Sequence, residues 1–115
     1  MAIHTKRVYE PAEDDDGYRV LVDRLWPRGT TKAAASVDEW ARELAPSQEL
    51  RKWFAHKPER FEEFRRRYVE ELRSDEQKLE GLRARAREET VTLLFGARDT
   101  ECNNAVVLAE VLRGR

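Results

Sequence analysis

The sequence predicts an α/β fold: a small single domain on a short three-stranded sheet, mixed or parallel, with element order β-β-α-α-α-α-β-α. Three observations carry that expectation. Val20-Leu21-Val22 is an apolar, β-branched run that stops abruptly at Asp23-Arg24-Leu25-Trp26-Pro27-Arg28-Gly29. Such a run reads as a buried strand, and the Pro/Gly break closes it. Val91-Thr92-Leu93-Leu94-Phe95 repeats the pattern and spills into Gly96-Ala97-Arg98-Asp99. Between the two lies a long stretch of helix-period sequence, enough for the crossover that joins parallel strands.

Each element has its own signal. Ile3 to Tyr9 alternates polar and apolar side chains, as a half-exposed strand does. Glu10 to Gly17 is an acidic turn with Pro11 and Gly17, too short for a helix, so the first two strands are expected to pair antiparallel. Pro27 to Ala35 reads as an irregular connection. Ser36-Val37-Asp38-Glu39 matches a capping box and opens a short helix with Val37, Trp40, Ala41 and Leu44 on one face. Pro46 stops that helix, and Ser47 is placed to cap the next, whose apolar face is Leu50, Trp53 and Phe54. Pro58 suits the first turn of a helix with the stripe Phe61, Phe64, Tyr68 and Leu72. Ser74-Asp75-Glu76-Gln77 is a second capping box, before a helix with Leu79, Leu82 and Ala86 inward. After the strand Thr90 to Phe95 comes a helix from about Asn103 to Arg113, burying Ala105, Leu108, Ala109 and Leu112. Two or three layers result.

Composition bounds the function. The 115 residues hold one core,. Charged residues are 39% of the chain, well above the ~25% of an average soluble protein. They nearly cancel, 22 Lys and Arg against 23 Asp and Glu, for a net charge of −1. The overall field therefore attracts neither nucleic acid nor an anionic membrane, and anion binding must come from a local cluster. No apolar run approaches the ~20 residues of a membrane span. The first residues lack the apolar core of a signal peptide, and the single Cys102 fits a reducing compartment, so a cytoplasmic location is expected.

Ligands of open α/β sheets bind outside the carboxyl ends of the strands, which is where this chain concentrates its charge. Arg24, Arg28 and Arg98 follow strand ends and offer rigid forks of donors for phosphate or carboxylate. The start of the last helix adds free N–H groups. The competing reading has Asp23 and Asp99 pairing with those arginines to lock the loops. Asp23, at the end of a buried strand, also has the position of a general base or metal ligand, with Asp99 as its companion. Asn103 and Asn104 suit helix capping, one of them left over for a ligand. Trp26 stands in the polar block and is the candidate aromatic wall of a site, whereas Trp40 and Trp53 belong to helix faces.

Other constellations fail on spacing. Cys102 at a helix start has the position of an acidified nucleophile, yet Leu108 stands where the phosphatase loop needs Arg. His4 and His56 have no metal-motif spacing, so no metal site is expected. His56 nonetheless follows Trp53-Phe54 in a loop that could face the strand ends as a base. Asp14-Asp15-Asp16-Gly17 puts Ala12 at the first ligand position of an EF-hand, which leaves a solvated acidic turn. No dinucleotide or ATP phosphate loop is present, and no cofactor is expected. Arg65-Arg66-Arg67, Arg83, Arg85 and Arg87 are interleaved with glutamates, which reads as a solvated helix surface.

Lys6-Arg7-Val8-Tyr9, the block from Asp16 to Gly29 with its Asp23-Arg24-Leu25-Trp26-Pro27-Arg28-Gly29 core, Glu43 to Ser47 with Glu49 to Lys52, and Asn103 to Leu108 together resemble the YeaO-like family over essentially the whole chain. These are small prokaryotic proteins within a larger domain-of-unknown-function group. The resemblance implies a small soluble α/β domain and brings no settled biochemical role. Longer relatives in that group carry a Cys-His-Arg triplet at the start of the last helix. The corresponding place here is Cys102-Asn103-Asn104.

The functional expectation is a cytoplasmic α/β protein binding a compact phosphate- or carboxylate-bearing ligand at the strand ends. Arg24, Arg28 and Arg98 would read charge, Asp23 and Asp99 would orient it, Trp26 would wall the site, and Asn103 or Asn104 would hydrogen-bond it. In its catalytic form this is a hydrolase or transferase with Asp23 as base. A non-catalytic interaction module whose charges are structural is one alternative, and a nucleic-acid-associated factor using the arginine-rich helix is another.

Overall fold

In the computed structural model, which describes residues 1–114, the chain runs β1 (Ile3–Arg7), β2 (Tyr18–Leu21), α1 (Lys32–Ala35), β3 (Glu39–Trp40), α2 (Gln48–Phe54), α3 (Phe61–Leu72), α4 (Glu76–Glu88), β4 (Val91–Phe95) and α5 (Asn104–Leu112). Short 3-10 turns link several of these. β4 is the organising strand. All five of its residues are buried, as expected of a strand covered on both faces and paired on both edges. It pairs in parallel with β1, Ile3 opposite Val91 through Arg7 opposite Phe95, and with β2, Tyr18 opposite Val91 through Leu21 opposite Leu94. The sheet order is β1-β4-β2-β3, and every pairing is parallel.

Two expectations are corrected by this topology. The first two strands do not pair antiparallel, because β4 is inserted between them. Residues 8–17 extended reach up to about 33 Å, roughly twice the ~17 Å of a five-residue strand, so the chain can return along β1 without a helix. Gly17 makes the final turn possible: its φ is +64°, and a Cβ there would stand 2.2 Å from the Thr90 carbonyl oxygen,. The sheet also has four strands instead of three. The segment expected to be a helix from Ser36 is β3 followed by a 3-10 turn at Arg42–Leu44. Ser36 is instead the left-handed C-cap of α1 (φ 51°), a helix that Thr31 opens by accepting from the Ala34 N–H. Asp38 turns back to accept from the Arg19 N–H, 2.9 Å, and the Ala41 N–H donates to the Leu21 carbonyl, 2.8 Å. The local capping signal lost to unpaired hydrogen-bonding groups on the edge of β2.

The sheet faces follow the period of two. Val20, Val22, Leu93 and Phe95 join the large core with α2 to α5. Leu21 and Leu94 face the other way, under Val8, Ala35, Val37, Trp26 and Trp40. One face thus carries four helices and the other only a thin cover. Within the helical layer, Ser47 caps α2 by accepting from the Leu50 N–H (3.1 Å), and its hydroxyl donates to Glu71 (2.6 Å). The buried Tyr68 hydroxyl donates to the Leu44 carbonyl, 2.5 Å. Pro58 opens a 3-10 turn that leads into α3. The second capping box does not form: Ser74 donates to the Glu71 carbonyl, and α3 runs into α4 through a 3-10 turn. No helix among the described residues is long and apolar enough to cross a membrane.

Candidate functional site

β2 and β4 both stop at the same end of the sheet, and a cleft of about 200 Å³ opens there. Five segments build it. Asp23, Arg24 and Leu25 come from the end of β2, Gly96 and Ala97 from the end of β4, and Asn103 and Asn104 from the start of α5. Arg51, Phe54 and His56 come from α2 and its C-cap, with Pro46 before α2 and Phe64 on α3 closing the floor.

Asp23 is the centre. The Gly96 N–H donates to its Oδ2 at 2.8 Å, and Asn104 Nδ2 donates to its Oδ1 at 3.2 Å and to the Val22 carbonyl at 3.0 Å. Trp40 Nε1 donates to the Asp23 carbonyl, 2.8 Å, and so ties its backbone. A Cβ at Gly96 would lie 3.2 Å from Asp23 Oδ2, a tight contact that the carboxylate would have to yield to admit. Burial pushes the Asp23 carboxyl above its usual range, against the pull of Gly96, Asn104, His56 and Arg51,. Both carboxylate oxygens thus accept from neutral donors, and Asp23 forms no ion pair among the described residues.

The basic residues around it are less committed. Arg24 Nε donates to the Pro46 carbonyl, 2.9 Å. Arg51 Nε is buried with no hydrogen-bond partner among the described residues. Neither arginine pairs with a carboxylate among those residues. Ala55 and His56 both take left-handed backbone, at φ 48° and 56°. Two such non-glycine residues in succession are uncommon. The turn is tied by Ala55 N–H to the Arg51 carbonyl and Lys57 N–H to the Phe54 carbonyl, both 3.0 Å. It carries His56 onto the cleft, its ring 6.3 Å from Phe54.

Of the eight ligand-site candidates from sequence, four line the cleft, Asp23, Arg24, Asn103 and Asn104, and His56, read as a loop residue that could face the strand ends, lines it too. Asn103 caps α5, its Oδ1 accepting from the Val106 N–H at 3.0 Å, which leaves Asn104 for the cleft. The other four do not line it. Trp26 lies across the sheet, edge-on to Trp40 at 5.3 Å, with Nε1 donating to the Thr30 carbonyl. Arg28 and Arg98 are exposed. Asp99 turns its Oδ1 to the Cys102 and Glu101 N–H groups, 2.9 Å each, which holds its carboxyl below the usual range. The locking pairs of the competing reading, Asp23 and Asp99 with these arginines, are absent among the described residues. Burial, then Asp99 and Glu101, push the Cys102 thiol up, away from the thiolate,. Sequence reasoning missed Arg51, whose spacing on α2 marks it only as a surface position, and Phe54 and Phe64, which read as core.

Asp16, read as part of a solvated turn, is buried. Lys6 donates to both its oxygens at 3.1–3.2 Å, and Arg19 pairs with it. Arg19 also donates to the Ala35 and Ser36 carbonyls. On the helices, Arg65 pairs with Glu110, Arg66 and Arg67 with Glu63, Arg83 with Glu76, and Arg85 with Glu89.

The class these features define is a small parallel α/β domain with a mixed polar and apolar cleft at the carboxyl end of its sheet. Its sequence places it further. The chain belongs to the family described as the inactive DUF488-N3 subclade, whose model matches residues 2–115. It is 49% identical over 113 residues to the uncharacterized protein YeaO of Escherichia coli (strain K12), covering 98% of each chain. It is 46% identical to the uncharacterized proteins Rv3073c of Mycobacterium tuberculosis (strain ATCC 25618 / H37Rv) and Mb3100c of Mycobacterium bovis (strain ATCC BAA-935 / AF2122/97), over 98% of this chain and 95% of each of theirs. The YeaO-like resemblance read from the motifs therefore holds. No solved structure matches the chain.

Proposed function

We propose that this protein binds a compact anion in the cleft at the end of β2 and β4. The observation that carries the reading is Arg51. It lines the cleft, its Nε has no hydrogen-bond partner and its guanidinium no carboxylate among the described residues, so the terminal N–H groups of its fork are left for a ligand. Arg24 and His56 stand at the same cleft, and its one carboxylate, Asp23, is already engaged by Gly96 and Asn104. An anion there would meet donors that the fold leaves unspent, beside the N–H groups at the start of α5.

Binding fits better than turnover. The Asp23 carboxylate accepts from Gly96 and Asn104, which supports a role in tying the ends of β2 and β4 to α5. The Cys102 thiol is pushed away from its nucleophilic form, and the family's description as inactive agrees. The lone cysteine supports a reducing, cytoplasmic setting,.

The test is a thermal-shift and calorimetry panel of small carboxylates and phosphates on the parent and on Arg51→Met. A one-site ligand at ~100 times its dissociation constant adds about 2.7 kcal/mol, several degrees for a domain this size. Stabilisation in the parent and its loss in a folded Arg51→Met protein are expected. Equal stabilisation of both, or none by any anion, would overturn the reading and favour an interaction module.

A further inference from the structure

The cleft is not the kind of surface that suits a bare phosphate. Phe54 and Phe64, stacked at 4.4 Å between ring centroids, underlie it, and Pro46 and Ala97 add apolar wall. Leu25 stands at the same cleft with 55% of its surface exposed, one of the few large apolar side chains the fold leaves in water. Burial of the core does not account for that leucine. An apolar body lying in the cleft would, at about 25 cal/mol for each Å² taken from water.

The charges point the same way. The donors of Arg51, Arg24 and His56 share the cleft with the Asp23 carboxylate. With Arg51 and Arg24 opposing Asp23, one negative charge on the ligand is enough to balance the cleft,, and a group that is polar on every side loses hydration against the phenylalanines without replacement. About 200 Å³ lies below the ~300–1,000 Å³ of pockets that take drug-sized ligands,. The occupant is therefore small.

The geometry points to a small monocarboxylate with an aromatic or branched apolar body as the ligand, its carboxylate on Arg51 and Arg24 and its body against Phe54, Phe64 and Leu25. This rests on the anion-site reading and narrows it.

The test is a heteronuclear NMR titration of the full chain with benzoate, cyclohexanecarboxylate, benzamide, acetate and inorganic phosphate. Parent, Arg51→Met and Leu25→Ser proteins are compared. Benzoate and cyclohexanecarboxylate are expected to bind about tenfold more tightly than acetate, phosphate or benzamide, with shifts centred on Gly96, Ala97 and Asn104. Arg51→Met should lose benzoate. Leu25→Ser, at an exposed position that the fold does not need, should weaken benzoate severalfold and leave acetate unchanged. Acetate or phosphate binding as tightly as benzoate, still dependent on Arg51, would end this inference and leave the anion site standing. Benzamide equal to benzoate, or no binding by any of the five, would end both.

Discussion

Asp16 and Asp23 stand at opposite ends of one strand, just before β2 and just after it, and the fold treats them differently. Asp16 meets two cations, Lys6 and Arg19, plus the Glu13 N–H at 3.0 Å. Burial alone would push its carboxyl up, but these partners together hold it below the usual range,. Asp23 has basic residues nearby and pairs with none, so burial prevails and its carboxyl is raised. At the first end the buried carboxylate and the two cations it meets satisfy one another, which is what a structural knot requires. At the second, donors are left over, which is what a binding site requires. Both places gather charged side chains, and the spent or unspent hydrogen-bonding capacity tells them apart.

The comparison breaks first, and by the largest margin, at Asp16. Asp16→Ala strands the buried Arg19 guanidinium and is expected to cost about 3 kcal/mol, the lower end of the range for a broken buried pair, because Lys6 borders a hollow open to solvent,. Urea unfolding measures it, and a loss under about 1 kcal/mol would reduce the knot to an ordinary surface pair. A smaller loss, about 1–2 kcal/mol, is expected for Gly96→Ala, whose methyl would crowd Asp23 Oδ2,. Chemical shifts of Asn104 and Asp23 should move with it, and a fully neutral substitution would show that the close approach is not needed.

The pH dependences have opposite signs. The lowered pKa of Asp16 adds stability above the ordinary carboxylate range, lost as pH falls through its folded value. The raised pKa of Asp23 removes stability as pH rises from that range through its folded value. Asp23→Asn should thus be within about 1 kcal/mol of the parent at neutral pH, and should compare worse with the parent in acid. Unfolding curves across the acid range decide it, and a variant as damaged as Asp16→Ala at neutral pH would erase the distinction. The smallest stability effect belongs to Arg51→Met, expected to be neutral to slightly stabilising because its Nε has no partner among the described residues to lose,. Its melting temperature without anion measures this, and a large drop would make Arg51 part of the scaffold.

Where a signal is local, the chain's own pattern was enough. Ser47 at the start of α2, Pro58 before α3, Asn103 at the start of α5 and the buried run of β4 all stand as their residue types require. Caps and periodicity involve groups a few residues apart, so neighbours in sequence settle them. The exception is instructive. Ser36 to Glu39 satisfies the helix rules by itself, yet the unpaired edge of β2 takes the segment as β3, and hydrogen bonds from distant residues outweigh a cap worth about 1 kcal/mol,. The sequence alone thus determined the α/β class, the strands that carry charge at their ends, and Asp23, Arg24 and Asn104 as candidates. Only the tertiary structure decided that Trp26 packs on the other face, that Arg28 and Arg98 stay in water, and that Arg51 reaches the cleft. The physical reason is range: a strand end fixes where a side chain begins, but which donors remain unpaired depends on every element that closes around it.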